Sequence, residues 1–330
     1  MLNREVVMWT EIERVIESNQ KFVVTSHVNP DGDSIGSALA LCEFLRARGK
    51  EALVMTSDAT PMVYQWLDPD GEVIAPATEK DFGTIISADA VFILDVNSWE
   101  RLGTIGETVR DASAVKAVID HHPFREEITP ITVVDTGACS TSELIYDLIT
   151  SLGGPLSRKA ADGLYTGILT DTGSFRFANT SPIAHKITSS LLDAGVEPAT
   201  VYDLVYNQNS EARTRLMGRV LSGISFAGNG QVAWLSVSQD MIEQSGARPE
   251  DTSGFVDATM TIAGVEIGII FVEAPEDKVR ISLRSRGNKD VNKVAGNLGG
   301  GGHRNASGVV FKGTLSDAIP VVTAEAVKAL

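Results

Sequence analysis

Short apolar runs alternate with longer helical patterns over the first 195 residues of the chain. Four runs rich in valine, isoleucine and leucine predict strands at 22–24, 52–55, 91–94 and 115–119. Apolar residues at helical spacing predict helices at 6–18, 34–48, 141–152, 158–169 and 182–194. Because the strands lack polar alternation, we expect them to be buried on both faces of a doubly wound, mainly parallel α/β sheet. The functional loops of such a sheet lie beyond the carboxyl ends of its strands.

The pattern changes after a mainly helical stretch at 197–224. Further strands are predicted at 232–237, 265–272, 279–283 and 309–311, with a helix at 291–298. The 330 residues exceed the roughly 250–300 at which one hydrophobic core usually stops growing. We therefore predict a first domain over 1–195, a helical connector over 196–221 and a smaller α/β domain over 222–330.

The composition limits the classes of protein to which the chain can belong. The chain is 43% hydrophobic and 22% charged, which is typical of a globular protein. Its net charge of −15 opposes binding of long nucleic acid through a broad basic surface. It has no long uncharged apolar stretch and no apolar signal core, and its two cysteines are too few for a disulfide framework. We expect a cytoplasmic protein that does not bind membranes.

His27, Asp31 and Asp33 lie in the sequence HVNPDGD, directly after the first predicted strand. Carboxylates together with an imidazole suit manganese, iron, cobalt or zinc. The alternative is an aspartate-rich turn that caps the following helix, with Asp33 at the N-cap and Asp31 exposed. This motif alone does not separate the two interpretations.

Further candidate ligands end later apolar stretches. Asp95 and Asp120 each end a predicted strand, His121 and His122 follow at once, and Asp171 ends a helical stretch. A carboxylate at a helix C-terminus opposes the helix dipole unless a cation compensates it. Aspartates and histidines from four loops suit a two-metal site with one bridging carboxylate.

A glycine-rich motif, GGGGHRNASG at 299–308, precedes the strand predicted at 309–311. One interpretation is a flexible linker. However, the segment 278–304 holds seven basic residues against one acidic residue, and glycine-rich backbone exposes amides that bind anions. We therefore prefer a cradle for a phosphate.

Taken together, these motifs resemble the DHH phosphoesterase superfamily, most closely its NrnA-type branch of short-oligonucleotide hydrolases and 3′-phosphoadenosine-5′-phosphate phosphatases. The resemblance covers nearly the whole chain. It rests on HVNPDGDSIGS at 27–37, Asp95, the DHH triplet at 120–122, GILTDTGSF at 167–175 and GGGHRNASG at 300–308.

The resemblance implies two divalent metal ions, with manganese preferred and magnesium or cobalt as alternatives. The implied ligands of one ion are His27, Asp31 and Asp95. The implied ligands of the other ion are Asp33, Asp95, His121 and Asp171. Asp95 would then bridge the two ions.

The resemblance also implies roles outside the metal ligands. His122 would contact the scissile phosphate, and Asp120 would orient the histidine pair. The second domain resembles the DHH-associated C-terminal domain, which implies an active site in the cleft between the domains. Its implied substrate-binding residues are Arg284, Ser285, Gly301, Gly302 and His303.

The implied reaction is hydrolysis of phosphodiester or phosphomonoester bonds. The expected substrates are short single-stranded RNA, linear or cyclic dinucleotides and 3′-phosphoadenosine-5′-phosphate, and not long duplexes; a homodimer is left open. One alternative is an inorganic pyrophosphatase of the same superfamily, against which the GGGH motif argues. The other is a non-catalytic, metal-dependent nucleotide-binding regulator, against which the complete set of expected ligands argues.

Overall fold

The apolar runs in the first part of the chain form one sheet in the computed structural model, which describes residues 2–76 and 78–330. The strands are β1 Lys21–Thr25, β2 Glu51–Met55, β3 Val73–Ile74, β4 Ala90–Leu94, β5 Val115–Asp120 and β6 Thr132–Val134. Their order is β3-β2-β1-β4-β5-β6, and every neighbouring pair is parallel. The predicted parallel α/β sheet is confirmed.

Helices connect these strands and follow them. They are α1 Leu2–Ser18, α2 Gly32–Ala47, α3 Glu79–Ile86, α4 Gly106–Asp111, α5 Thr141–Ser151, α6 Arg158–Asp171, α7 Pro182–Asp193 and α8 Pro198–Tyr206. Short 3-10 helices span Met62–Leu67 and Trp99–Ile105. All five helices predicted in this part are confirmed, although the side chains of Val6 and Val7, used to predict the first, lie outside the described residues.

The central strands β1 and β4 send alternate side chains into two separate cores. Val24 and Phe92 pack with α2, α5 and α6 on one face, whereas Val23 and Val91 pack on the opposite face. This burial on both faces explains why the strand sequences show no polar alternation.

The strand order also determines where a ligand can bind. The chain proceeds outward from β1 to β3 on one side and then continues with β4 on the other side of β1. The carboxyl ends of β1 and β4 therefore flank a topological switch point, where open α/β sheets bind their ligands. The loops that carry His27 and Asp95 leave the sheet there.

A second, mixed sheet occupies the later part of the chain. Its strands are β7 Ser225–Ala227, β8 Val232–Val237, β9 Ile267–Ala274, β10 Lys278–Ser285, β11 Gly301–His303 and β12 Ala306–Lys312. The order is β11-β12-β10-β9-β8-β7, and only the β8–β9 pair is parallel among the pairs that join these described strands. The helices are α9 Glu211–Ser222, α10 Gln239–Ser245, α11 Val291–Asn297 and α12 Leu315–Lys328, with 3-10 helices at Pro249–Thr252 and Phe255–Thr261.

The first compact unit ends at Gln208 and the second begins at Asn209. Helix α8 places Val201 and Val205 in a core of the first unit, and α9 places Leu216 and Val220 in a core of the second. A separate connector over 196–221 remains a prediction. Across the described residues, no helix has the length and apolar character needed to cross a membrane.

Helices α2 and α6 approach each other at two glycines, Gly36 and Gly163. A methyl group added at Gly163 would lie 2.7 Å from the carbonyl oxygen of Gly36, and one added at Gly36 would overlap the Gly163 carbonyl group. The contact is between two backbones, so neither side can yield by a rotamer change. This approach sets the spacing between Asp33 on α2 and Asp171 on α6.

We expect Gly36→Ala to destabilise the first unit by roughly 1–3 kcal/mol, because overpacking forces the two helices apart. The measurement is urea unfolding followed by circular dichroism. Gly83→Ala is the matched control, since an added methyl group there meets nothing within 4 Å in helix α3. Equal unfolding midpoints for the two variants would contradict this account of the helix contact.

Candidate active site

Side chains from four segments meet at the carboxyl edge of the parallel sheet. They form three groups of possible metal ligands, each with its ligand atoms within 4.8 Å of one another. The groups are His27, Asp31 and Asp95; Asp33, His121 and Asp171; and Asp95, His121 and His122. All six residues predicted as metal ligands therefore lie in one cluster, and Asp95 and His121 each belong to two groups.

His27 is buried and fixed in orientation by its own backbone. Its Nδ1 lies 2.7 Å from the carbonyl oxygen of Val28, which can only accept a hydrogen bond. Nδ1 therefore carries a proton, and Nε2 points at Asp95 Oδ2, 3.1 Å away, and at Asp31 Oδ2, 3.7 Å away. Nε2 is either protonated, or its lone pair faces two carboxylates and needs a cation among them. Such a backbone hydrogen bond to the far ring nitrogen is usual for histidines that bind metals.

Asp95 is the centre of the cluster. It is buried and has a φ of 61°, in the left-handed region that residues other than glycine rarely adopt. Its Oδ1 accepts a hydrogen bond from the Thr141 hydroxyl at 3.1 Å and lies 3.3 Å from His122 Nδ1. Burial alone would raise the pKa of Asp95, but the neighbouring histidines hold that pKa well below its ordinary value. The carboxylate is therefore ionised.

Asp33 is held by the N-terminus of helix α5. Its Oδ2 accepts the backbone N–H of Thr141 at 2.6 Å, and its Oδ1 accepts that of Ser142 at 2.8 Å. The positive end of the helix dipole favours a carboxylate there. Nevertheless, burial, and then the charges of Asp171 and Asp95, raise the pKa of Asp33 well above its ordinary value. Accumulated negative charge of this kind is stabilised by bound cations.

Asp31, not Asp33, caps helix α2, so the turn interpretation named the wrong residue. Asp31 Oδ1 accepts the backbone N–H groups of Asp33 and Ser34 at 3.1 and 3.0 Å. Its other oxygen faces His27, and its side chain is 48% exposed. Capping uses one oxygen of Asp31 and leaves the second available as a ligand.

The three side chains of the triplet 120–122 make different contacts. Asp120 Oδ1 accepts hydrogen bonds from the backbone N–H of His122 at 3.1 Å and from its Nδ1 at 2.8 Å, which leaves His122 Nε2 free of this contact. His121 Nε2 lies 3.2 Å from Asp171 Oδ2 and 3.5 Å from Asp95 Oδ1. This Nε2 atom is buried, yet it forms no aligned hydrogen bond to any described residue. A buried imidazole nitrogen between two carboxylates, without a hydrogen bond, fits a metal ligand.

The pKa of His121 reflects the same surroundings. Burial opposes protonation, but the carboxylates of Asp171, Asp95 and Asp33 outweigh burial and raise the pKa of His121 to about 11. Without a metal, the ring therefore carries the positive charge that the carboxylates need. A divalent cation can replace that proton.

Gly167 makes room for this arrangement on helix α6. A methyl group at Gly167 would lie 2.6 Å from Asp33 Oδ1 and would overlap the Ser142 side chain. Asp171 ends the same helix one turn later, and its carbonyl oxygen accepts a hydrogen bond from Asn179 Nδ2 at 3.1 Å. Helix α6 can therefore bring Asp171 close to Asp33 only with glycine at 167.

Sequence reasoning missed the residues that hold the ligands. The backbone of Thr141 and Ser142 binds Asp33, and the ring of Tyr64 lies against Gly32, beside Asp31. Burial and the charge of Asp31 raise the pKa of Tyr64, so its phenol stays neutral. The sequence STSE at 140–143 is a helix-start signal and could have located the amides. Nothing in the sequence around Tyr64 indicates its position.

In the second unit, strand register brings two of the predicted substrate residues together. Arg284 on β10 and His303 on β11 both lie opposite Ala306 of β12, so they share a row and a face of the sheet. The motif at 299–308 forms strand β11 and the turn into β12, so the linker interpretation is wrong. Gly301 and Gly302 lie in β11, and Gly302 has a φ of 149°.

Ser285 has internal partners. Its hydroxyl donates to the carbonyl oxygen of Lys289 at 2.8 Å and accepts from Asn305 Nδ2 at 2.9 Å. Arg284 Nε lies 3.4 Å from Asp257 Oδ1 in a half-exposed ion pair. The substrate contacts expected of these residues remain predictions.

Comparison with known proteins decides the family. Residues 21–168 match the DHH family, N-terminal domain, and residues 229–330 match the DHHA1 domain. The chain belongs to the DHH family. It is 34% identical, over 88% of its length and 84% of the relative's, to the bifunctional oligoribonuclease and PAP phosphatase NrnA of Thermus thermophilus. It is 31% identical to the protein of that name from Bacillus subtilis, over 91% of this chain and 92% of the relative.

A solved structure extends this similarity to nearly the whole chain. The crystal structure of an exopolyphosphatase-related protein from Bacteroides fragilis matches with a TM-score of 0.93 and 33% identity, covering 98% of this chain and 96% of that one. The DHH family comprises phosphoesterases, and this DHH protein is an enzyme of that class.

We expect Gly167→Ala to lower manganese affinity at least tenfold, because the added methyl group displaces Asp33 from the amides of helix α5. Isothermal titration with Mn²⁺ measures this effect, and circular dichroism shows whether the variant is folded. Gly83→Ala is again the control, with unchanged affinity. A folded Gly167→Ala protein with parental affinity would contradict this account of how Gly167 positions Asp33 for metal binding.

Proposed function

We propose that this DHH protein is a manganese-dependent phosphoesterase. Its substrates would be short oligoribonucleotides, linear or cyclic dinucleotides and 3′-phosphoadenosine-5′-phosphate. The observation that carries the proposal is the shared carboxylate of Asp95, which lies within ligand distance of His27 on one side and of His121 on the other. A single ionised carboxylate between two ligand groups can serve a pair of cations.

The donor set fits two divalent ions. One would be held by His27, Asp31 and Asp95. The other would be held by Asp33, Asp95, His121 and Asp171. When bound, such ions polarise a phosphate and lower the pKa of water to near neutrality.

The protein's own side chains would orient the phosphate. Asp120 fixes His122 through Nδ1, so its Nε2 is directed away from Asp120 and can donate a proton to a phosphate oxygen. Burial lowers the pKa of His122, but Asp120 and Asp95 outweigh burial and raise it to about 9, which keeps the ring protonated at neutral pH. Donors fixed before the reaction stabilise the charge that develops on phosphorus oxygens at no cost of reorientation.

The charge distribution favours small anionic substrates. The chain has a net charge of −15, yet Arg284 and His303 share one row of the second sheet. This row would bind the part of the substrate remote from the scissile bond, in keeping with the substrate-binding role that the family resemblance implies for Arg284 and His303. A long duplex would meet repulsion elsewhere on the surface. The relatives named as oligoribonuclease and PAP phosphatase support the same substrate class. We also propose a cytoplasmic location.

A panel of substrates tests this proposal. We expect turnover of pApA, a five-nucleotide RNA and 3′-phosphoadenosine-5′-phosphate in Mn²⁺, and at least a hundredfold slower turnover of pyrophosphate. Asp95→Ala should abolish all of these activities while the protein stays folded, because loss of the bridge disrupts both metal positions. Asp193→Ala, at the exposed end of helix α7, is the control and should be fully active.

Two outcomes would contradict the proposal. Preferential hydrolysis of pyrophosphate would assign the protein to the pyrophosphatase alternative. An Asp95→Ala variant within tenfold of the parent would remove the two-metal basis of the mechanism.

A further inference from the structure

The loop after helix α6 exposes an aromatic ring six residues after the candidate ligand Asp171. Phe177 is 54% exposed, although phenylalanine is usually buried. The guanidinium of Arg176 lies 5.9 Å from the centre of its ring. Arg176 Nε donates to the carbonyl oxygen of Gly173 at 2.7 Å, which fixes the guanidinium in this position. An exposed ring paired with a held cation is a surface suited to a flat, anionic ligand.

The loop that carries Arg176 and Phe177 has an energetically unfavourable backbone conformation. Gly173, Ser174 and Phe175 have successive φ values of 55°, 60° and 63°, in the left-handed region. Such a run persists only where the surroundings enforce it. Here the backbone N–H groups of Arg176 and Phe177 both donate to the carbonyl oxygen of Thr172 at 2.9 Å. Strain of this kind is concentrated at functional sites, so the position of Phe177 calls for a functional explanation.

Anchors on both sides of the loop keep it in place. The Phe175 ring stacks on His185 with 5.2 Å between ring centres. Asn179 Nδ2 donates to the carbonyl oxygens of Cys139 and Asp171 at 3.0 and 3.1 Å. Phe175 thus faces inward, whereas Phe177, two residues later, is left on the surface.

The ring packs against the backbone that follows Asp171. A methyl group added at Gly173 would lie 2.6 Å from a carbon of the Phe177 ring, so the ring covers the backbone two residues after that candidate ligand. Tyr206 is near the same segment and interacts electrostatically with Arg176 and Asp171. These contacts put Phe177 beside the backbone that follows a candidate ligand, and this adjacency is the basis for assigning the ring to the base of a nucleotide whose phosphate contacts the cluster.

We propose that Phe177 and Arg176 form a nucleobase subsite, in which the base of the nucleotide at the cluster stacks on the Phe177 ring and Arg176 contributes its charge. This inference rests on the proposed function, because it requires a nucleotide phosphate at the ligand cluster. Aromatic stacking accepts any base, since every base has a π face. The subsite thus explains how one site can accept nucleotides of different sequence.

The test compares substrates with and without a base. Dinucleotides with a hydrolysis-resistant phosphonate linkage are titrated in Mn²⁺ in three forms, namely with both adenines and with either adenine replaced by an abasic sugar. Phe177→Ala should weaken binding of the complete dinucleotide about 5- to 100-fold. Its effect should fall below twofold on the abasic form that lacks the stacked base. Phe177→Trp should restore binding, and Ile86→Ala, which removes a 58% exposed apolar side chain before strand β4, should change nothing.

The results separate this inference from the proposed function. Equal losses on all three dinucleotides, or no loss on any, would overturn the subsite even if pApA is hydrolysed. Base-dependent binding through Phe177 in a protein that does not hydrolyse pApA would support the subsite and reject the proposed reaction. Failure of the parent protein to bind the complete dinucleotide would overturn both.

Discussion

Negative charge is buried at one edge of the parallel sheet, and the surrounding structure must compensate it. Asp33, Asp95 and Asp120 are almost inaccessible to solvent, and Asp171 lies beside them. Uncompensated charges in such surroundings are very unfavourable. Part of the compensation is built into the chain, through the amides at the start of helix α5 and through the histidines. Bound cations would supply the remainder in place of the histidine protons, and metal binding would then be linked to folding of this edge.

This constraint accounts for several local features that are otherwise unfavourable. Glycine at positions 36 and 167 lowers helix propensity. However, Gly36 allows the close approach of the α6 backbone, and Gly167 allows that of the Asp33 carboxylate. Asp95 adopts a left-handed conformation that turns its carboxylate towards three histidines. Each feature costs stability locally, and each occurs in a segment whose ligand atoms lie within 4.8 Å of one another.

The sequence predicts what is local and misses what depends on tertiary contact. The buried strands and the acidic residues at their ends are visible because apolar runs end abruptly at Asp95 and Asp120. The sequence does not show that Asp31 caps helix α2 while Asp33 is bound by helix α5. The amides that bind Asp33 are more than 100 positions away in sequence. Helix α12 was missed; it contains Pro320, which sequence rules treat as a helix breaker. The shared row of Arg284 and His303 likewise follows only from strand register.

If two cations share the carboxylate of Asp95, electron paramagnetic resonance of the protein with bound Mn²⁺ should detect their coupling. Titration of the protein with Mn²⁺ should reach two ions per chain and give the multiline spectrum of an exchange-coupled pair, because one bridging carboxylate keeps the ions close. A single ion per chain, or two ions with the spectrum of isolated Mn²⁺, would show that no pair of cations shares Asp95.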